Sequence, residues 1–190
     1  QVEMAGAKVN LAMRRGIGGE VQERGPTSPG LDVEALLMQT AKAQGVPEPE
    51  VYYVLQRNDG LGEGFIMQWL EGEALGARIN RAEQYANLRP GLAAECGRML
   101  ARIHSINLSA SGLDKRLTRV SPQEFLQQTY ERYLLFKTPF PMIDYTAKWL
   151  QQNLPQQFDY CLVHNDFRNG NFMVNSEKVV AVLDWELAHI

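Results

Sequence analysis

Apolar and polar positions change their period twice along this chain. Near the start they alternate loosely, Val2, Met4, Val9, Leu11 and Met13 against Glu3, Lys8, Asn10 and Arg14, which predicts two short strands around Ala5-Gly6-Ala7 in an antiparallel hairpin. Residues 16–30 hold Gly, Pro, Ser and charge with almost nothing apolar, so a mobile loop with little share in any core is expected there. From Asp32 the spacing turns helical, with Val33, Leu36, Leu37 and Ala41 on one side, Glu34 in the first turn, and Gly45 and Pro47 as the stop. Two strand-like runs follow, Val51 to Leu55 and Gly64 to Leu70, joined by turn residues from Arg57 to Gly62.

Beyond Gly72 the helical period takes over, and a lobe boundary is placed there. Leu92, Cys96, Met99, Leu100 and Ile103 form one apolar stripe expected in the core, opened by Pro90 at a position where a first helical turn accepts proline. Ser121-Pro122-Gln123-Glu124 is a capping box that predicts a helix to about Leu135, and a further helix is expected from Met142 to about Leu154. The end of the chain returns to branched apolar runs, Tyr160 to Val163, Phe172 to Val174 and Val179 to Leu183, read as strands around the polar loop from His164 to Asn171.

Composition narrows the class. With 190 residues, 45% of them hydrophobic, the chain can bury a core, and a net charge of -3 offers no basic field for a nucleic-acid backbone. No apolar run approaches the ~20 residues of a membrane span, so neither nucleic acid nor membrane is expected as a partner. Cys96 and Cys161 lie in apolar stretches without metal-ligand spacing and are expected to be buried, reduced thiols in a cytoplasmic setting. Gln1 is no initiator and the chain stops just after its most informative strand, so a piece of a longer protein is expected.

The chemistry concentrates in Val163-His164-Asn165-Asp166-Phe167-Arg168-Asn169-Gly170-Asn171 and in Asp184 on the next strand. Phosphoryl transfer needs an aligned nucleophile, a carboxylate near the acceptor proton and metal ions on the phosphates. A polar loop between buried strands can direct Asp166 and Asn171 to the side where Asp184 ends the later strand. Magnesium favours oxygen, and a carboxylate with an amide carbonyl suits it, so Asn171 and Asp184 are the candidate metal ligands. Taken singly, Asp166 and Asn171 are ordinary turn residues and Asp184 an ordinary helix cap; the phosphoryl-transfer reading rests on their combination.

His164-x-Asp166-x-x-x-x-Asn171 with Leu183-Asp184-Trp185-Glu186 resembles the aminoglycoside phosphotransferase and choline kinase family of the protein-kinase-like superfamily, over Lys8 to Ile190. The resemblance implies an α+β, two-lobed fold. Residues 1–71 would form an incomplete antiparallel-sheet lobe and hinge, and residues 72–190 a mainly helical lobe with a small catalytic sheet. It implies ATP and Mg2+ as cofactors and a small-molecule hydroxyl or amine as acceptor. Asp166 would be the base or hydroxyl-orienting group, Asn171 and Asp184 the magnesium ligands, and His164 a support for the loop. Arg168 stands where protein kinases place a phosphate-touching lysine, and a solvated loop cation is the alternative. The run from Phe65 to Gly72 resembles the hinge, where Met67, Gln68, Trp69 and Leu70 would bind adenine.

Leu11 to Arg14 resembles the strand bearing the phosphate-binding lysine, and Glu34 its helix partner, but position 14 is arginine. Three readings stay open: a working replacement, a weakened ATP site, or a plain surface salt bridge. The glycine-rich phosphate loop is expected before Gln1 and further helices after Ile190, and Gly16-Ile17-Gly18-Gly19 is not that loop because it follows the Arg14 strand. His104 is read as a packed or capping residue, Trp69, Trp149 and Trp185 as core or cleft-wall aromatics, and Tyr130, Tyr133 and Phe136 as packing residues. Two rivals remain, a catalytically weak nucleotide-binding domain and a metal-dependent hydrolase built on His164, Asp166, Asp184 and His189. The acceptor stays open among aminoglycoside, choline-like amino alcohol and hydroxyacyl thioester, and the oligomeric state is not read.

Overall fold

A computed structural model of the chain describes residues 2–4, 6–16 and 28–190. Most of the loop expected over residues 16–30, together with Ala5 in the first turn, therefore lies outside the described residues. Strands β1 (Val2–Met4) and β2 (Ala7–Val9) pair antiparallel, with Val2 opposite Val9. The alternating stretch holds three strands, however, and not two. After Asn10 the chain begins β3 (Leu11–Arg15), which leaves the hairpin for a second sheet of order β3-β5-β4 with β4 (Val51–Val54) and β5 (Gly64–Gln68). A period of two runs unbroken through Asn10, so alternation alone cannot mark where a strand changes partner.

In this sheet Leu11 stands opposite Gln68 and Arg15 opposite Gly64. Glycine is required there, because a β-carbon at position 64 would run into the carbonyl oxygen of Arg14. Helix α1 (Leu31–Ala43) packs on β4 and β5 through Val33, Leu37 and Ala41, which are buried as the 3.6-residue spacing predicts. Short α2 (Gly76–Arg81) carries no periodic signal and was not expected; only Ile79 of it is buried. Helix α3 (Arg89–His104) holds Pro90 in its first turn as expected and buries Met99 and Ile103, while Leu92, Cys96 and Leu100 sit half-buried on the flank of the stripe. Short α4 (Leu108–Ser111) is capped by the Asn107 side chain.

Strands β6 (Phe172–Val174) and β7 (Val179–Val182) form an antiparallel pair, Phe172 opposite Val182. The strand expected over Tyr160 to Val163 is not formed; Val163 makes a single bridge to His189. A branched apolar run becomes a strand only with a neighbour along its length, and β6 and β7 use each other.

The chain divides into two compact units: Gln1–Thr118 with Cys161–His189, and Arg119–Tyr160 with Ile190. The second unit holds α5 (Pro122–Leu134) and α6 (Pro141–Asn153). Its capping box forms as spelled, the Glu124 amide donating to Ser121 Oγ at 3.2 Å and the Ser121 amide to Glu124 Oε2 at 2.8 Å. The hydroxyls of Tyr130 and Tyr133 donate to Asp144 at 2.8 and 3.2 Å, tying the two helices together, whereas Phe136 is 73% exposed and does not pack as expected.

Candidate functional site

The loop entering β6 is held from inside by His164, which is 1% exposed. Its Nε2 lies 3.0 Å from the Leu183 carbonyl, and its Nδ1 accepts from the Asp166 amide at 3.3 Å. A carbonyl can only accept and an amide only donate, so these partners select the neutral ring with its proton on Nε2. Burial pushes the imidazole pKa down, against the Leu183 hydrogen bond and the charges of Asp166 and Asp184. Both nitrogens are thereby occupied by backbone groups, and the ring rests against the Trp185 indole with centroids 4.6 Å apart.

Asp166 presents its carboxylate beside two donors. Arg168 Nε donates to Oδ1 at 3.0 Å, and Asn171 Nδ2 to Oδ2 at 2.6 Å and to the Asp166 carbonyl at 3.0 Å. Arg168 is well exposed, whereas Asn171 is buried. Spending its amide nitrogen on Asp166 turns Asn171 into an acceptor for anything else through Oδ1.

Asp184 follows β7 with φ 67° and ψ 62°, left-handed backbone that costs an aspartate on the order of 1 kcal/mol. Both backbone groups of the preceding Leu183 are held by the loop: its amide donates to the Asn171 carbonyl at 2.8 Å and its carbonyl faces His164. These bonds bring Asn171 and Asp184 together although 13 positions separate them in sequence. Asp184 occupies the cap position of the 3-10 turn Trp185–Leu187 but makes no side-chain cap bond there, so the cap reading is overturned.

Its carboxylate meets Arg14 instead. Arg14 Nη2 donates to Asp184 Oδ1 at 3.1 Å, to Glu34 Oε1 at 3.3 Å and, more weakly, to Glu186 Oε2 at 3.4 Å. Arg14 Nε stands 2.8 Å from Glu34 Oε2 but finds no aligned hydrogen bond, so that contact is an ion pair by proximity only. Glu34 is buried at 4% exposure, which excludes a plain surface salt bridge. Burial pushes the Glu34 carboxyl pKa up and Arg14 pulls it back. Burial works against the guanidinium's charge too, but Glu34, Asp184 and Glu186 together hold its pKa above the usual value. All three hydrogen bonds leave one nitrogen, Nη2, and so join α1 to the turn that carries Asp184 and Glu186.

The available donors, an amide oxygen and a carboxylate, suit magnesium completed by phosphate and water. A transition-metal cage is not assembled: among the described residues no group of three or more His, Cys, Asp and Glu converges. His189 Nδ1 lies 3.1 Å from the Leu187 carbonyl, and His164 is committed to the loop, so the histidines of the hydrolase reading do not form a ligand set.

A cavity of about 540 Å3 is lined by Ala12 of β3, by Met67, Gln68, Trp69 and Leu70, and by Met173 and Leu183. All four hinge residues expected at the adenine site thus line one cavity. β5 ends at Gln68, and Trp69 to Gly72 run on outside the sheet until Glu73 pairs with Val174. Trp69 is 54% exposed on the cavity wall, Trp185 is core, and Trp149 is an exposed residue of α6. His104 is exposed in the last turn of α3 and is not packed. Cys96 and Cys161 are half-buried, less enclosed than expected. No helix among the described residues is long and apolar enough to cross a membrane. Sequence reasoning missed Glu186 as a third acid on Arg14 and Glu48, which hydrogen-bonds Trp185. Glu48 stands between two prolines and carries no periodic or motif signal.

The model of the phosphotransferase enzyme family, APH, matches residues 21–190. Among curated proteins, the chain is 28% identical over 172 residues to acyl-CoA dehydrogenase family member 10 of Mus musculus, covering 86% of this chain and 16% of that protein. It is 31% identical over 175 residues to acyl-CoA dehydrogenase family member 11 of Gallus gallus, covering 86% and 22%. The chain thus spans about a fifth of the length of these relatives. Among solved structures, a candidate aminoglycoside phosphotransferase of Ralstonia eutropha superimposes with a TM-score of 0.72 at 23% identity, over 97% of this chain and 61% of that one. The GDP complex of an aminoglycoside 2'-phosphotransferase variant gives 0.56 at 15% identity, over 82% and 57%. At these identities the likeness is one of fold, and it is the α+β, protein-kinase-like fold expected from the loop motif.

Proposed function

The chain belongs to the phosphotransferase enzyme family, and from that premise we propose that it transfers the γ-phosphoryl group of ATP, with magnesium, to a hydroxyl or amine of a small molecule. The observation that carries this reading is the stitching of Asn171 to Leu183, which sets Asp166, Asn171 and Asp184 around one turn, with Arg14 on the Asp184 carboxylate.

In this reading Asp166 receives the hydrogen bond of the acceptor hydroxyl and orients its oxygen toward the phosphorus, while Asn171 and Arg168 keep the carboxylate from turning away. Asn171 Oδ1 and the Asp184 carboxylate hold the metal; magnesium, when bound, neutralises charge on the phosphates. Arg14 leans on Glu34 and offers its remaining N–H groups to phosphate oxygens. Backbone groups from Gln68 to Leu70 face adenine from the cavity wall. The stretch through Gly72 then serves as a hinge between an ATP-side lobe over residues 1–71 and a helical lobe over residues 72–190. A cytoplasmic setting completes the reading.

For the acceptor, one observation supports a preference among the candidates. The relatives that the chain matches carry the name acyl-CoA dehydrogenase, although the chain covers only a fifth of them. A phosphotransferase segment on the same polypeptide is best served by a hydroxyacyl thioester, ahead of aminoglycosides and choline-like amino alcohols. A second reading, a nucleotide-binding domain with weak catalysis, is favoured by one contact, since Arg14 already occupies Asp184 Oδ1.

The deciding experiment follows ADP release by the full-length protein over a panel of hydroxyacyl-CoA esters, aminoglycosides and amino alcohols, with Asp166→Ala as control. Turnover with a thioester that vanishes in the variant is expected. Turnover that survives Asp166→Ala sinks the mechanism, and ATP binding without ADP from any acceptor selects the second reading.

A further inference from the structure

We propose that Glu48 is a positioning residue of the phosphotransfer site: through the Trp185 indole it holds the Asp184 turn and the His164 ring in place. The inference rests on the phosphotransfer reading of Asp184.

Glu48 lies in Pro47-Glu48-Pro49, between α1 and β4, and is only 5% exposed. Trp185 Nε1 donates to its Oε1 at 3.1 Å, a fully buried hydrogen bond between residues 137 positions apart. Trp185 directly follows the left-handed Asp184 and lies against His164, which faces Leu183 on one nitrogen and Asp166 on the other. The same segment is tied at two further points. The Val182 amide of β7 donates to the Pro47 carbonyl at 2.9 Å, and Lys42 of α1 reaches the Glu48 carbonyl at 3.2 Å. The helix that carries Glu34 is thereby joined to the turn that carries Asp184.

A carboxyl group here opposes stability. Its Oε2 is buried without a partner, and such an atom costs roughly 1–3 kcal/mol. Burial drives the Glu48 pKa well up, opposed by the Trp185 bond and by Lys42. If filling space were the requirement, an apolar side chain would serve better. A directed acceptor on Trp185 explains the acid, because left-handed Asp184 backbone persists only where its surroundings hold it from more than one side. The loop bonds at Leu183 hold one side, and Glu48 through Trp185 holds the other.

The test compares Glu48→Gln, Glu48→Leu and Trp185→Phe in the full-length protein. Each is measured for the affinity of a fluorescent ATP analogue with magnesium and with chelator, for kcat and KM, and for urea stability. Glutamine keeps an acceptor for Trp185, leucine removes it, and phenylalanine keeps the ring and removes the donor. Partners acting behind metal ligands shift metal affinity or activity by about 10–100-fold. We expect Glu48→Leu and Trp185→Phe to lose both kcat and the magnesium-dependent gain in nucleotide affinity by that order, with chelator-state affinity unchanged and Glu48→Gln near wild type. The proposal is overturned if Trp185→Phe matches wild type, if Glu48→Gln fails as badly as Glu48→Leu, or if the losses track only the unfolded fraction. A wild-type protein whose nucleotide affinity ignores magnesium would refute the phosphotransfer reading itself, and the proposal with it.

Discussion

The stretch from Cys161 to His189 and the helical pair α5 and α6 are similar in length but built on opposite principles. The first buries His164, Asn171, Trp185 and His189, and it tolerates left-handed backbone at Asn165 and Asp184, where the helical pair has one such residue, Lys137 in its connection. Its polar contacts reach far along the chain, to Arg14 and to Glu48. The helical pair buries almost nothing: no residue of α5 is buried, and Leu135, Phe136 and Met142 are 77%, 73% and 72% exposed. Its bonds are local, a capping box and tyrosine contacts to Asp144. The difference teaches that local signals suffice to form helices, whereas a site that holds strained backbone and buried polar groups needs partners from distant segments.

The largest test of that contrast is Asp166→Ala. It should lower kcat by about 10²–10⁴-fold, the usual contribution of a positioned proton acceptor, with little change in urea midpoint because the side chain is partly exposed. A fall in stability as large as the fall in rate would break the contrast, making Asp166 structural.

The same residue type can be compared in both regions. Trp185→Ala should destabilise by about 3–5 kcal/mol in urea unfolding through an unfilled core cavity, whereas Trp149→Ala, at a side chain 51% exposed, should cost under about 1 kcal/mol. Similar losses at both positions would show that the helical pair is not the loosely supported region described above. Smaller again, Ser121→Ala should cost about 1 kcal/mol by removing the α5 cap, with ATP affinity unchanged in an equilibrium titration.

The smallest effect concerns pH. Burial lowers the His164 pKa from 6.5, so below 6.5 the unfolded chain takes up a proton that the folded chain resists, and stability falls as pH falls. Glu34 and Glu48 titrate with the opposite sign, since their raised folded pKa values make stability fall as pH rises above 4.5. The variant difference isolates the histidine: the unfolding free energy of wild type relative to His164→Gln should shrink between pH 7 and pH 5.5. A constant difference across that range would mean that the ring is not held neutral.

Helices α1, α3, α5 and α6 and strands β4 to β7 follow from period, caps and turn residues close to where spacing put them. The hairpin at the start was legible, but not the departure of β3 to another sheet, and the run before Val163 had the composition of a strand without a partner. The loop from His164 to Asn171 and the acid at 184 were legible as polar residues set among apolar runs. Where each side chain points was not. Only folding joins Arg14 to Asp184 across 170 positions and Trp185 to Glu48 across 137. The sequence by itself determined helices α1, α3, α5 and α6 and the chemical inventory, which depend on neighbours within a few residues. The tertiary structure decided that Asp184 serves Arg14 instead of a helix cap, that the Glu34 carboxylate is buried against Arg14, and that a proline-flanked acid accepts a hydrogen bond from Trp185. Those outcomes depend on burial and direction, which arise only when distant segments exclude water together.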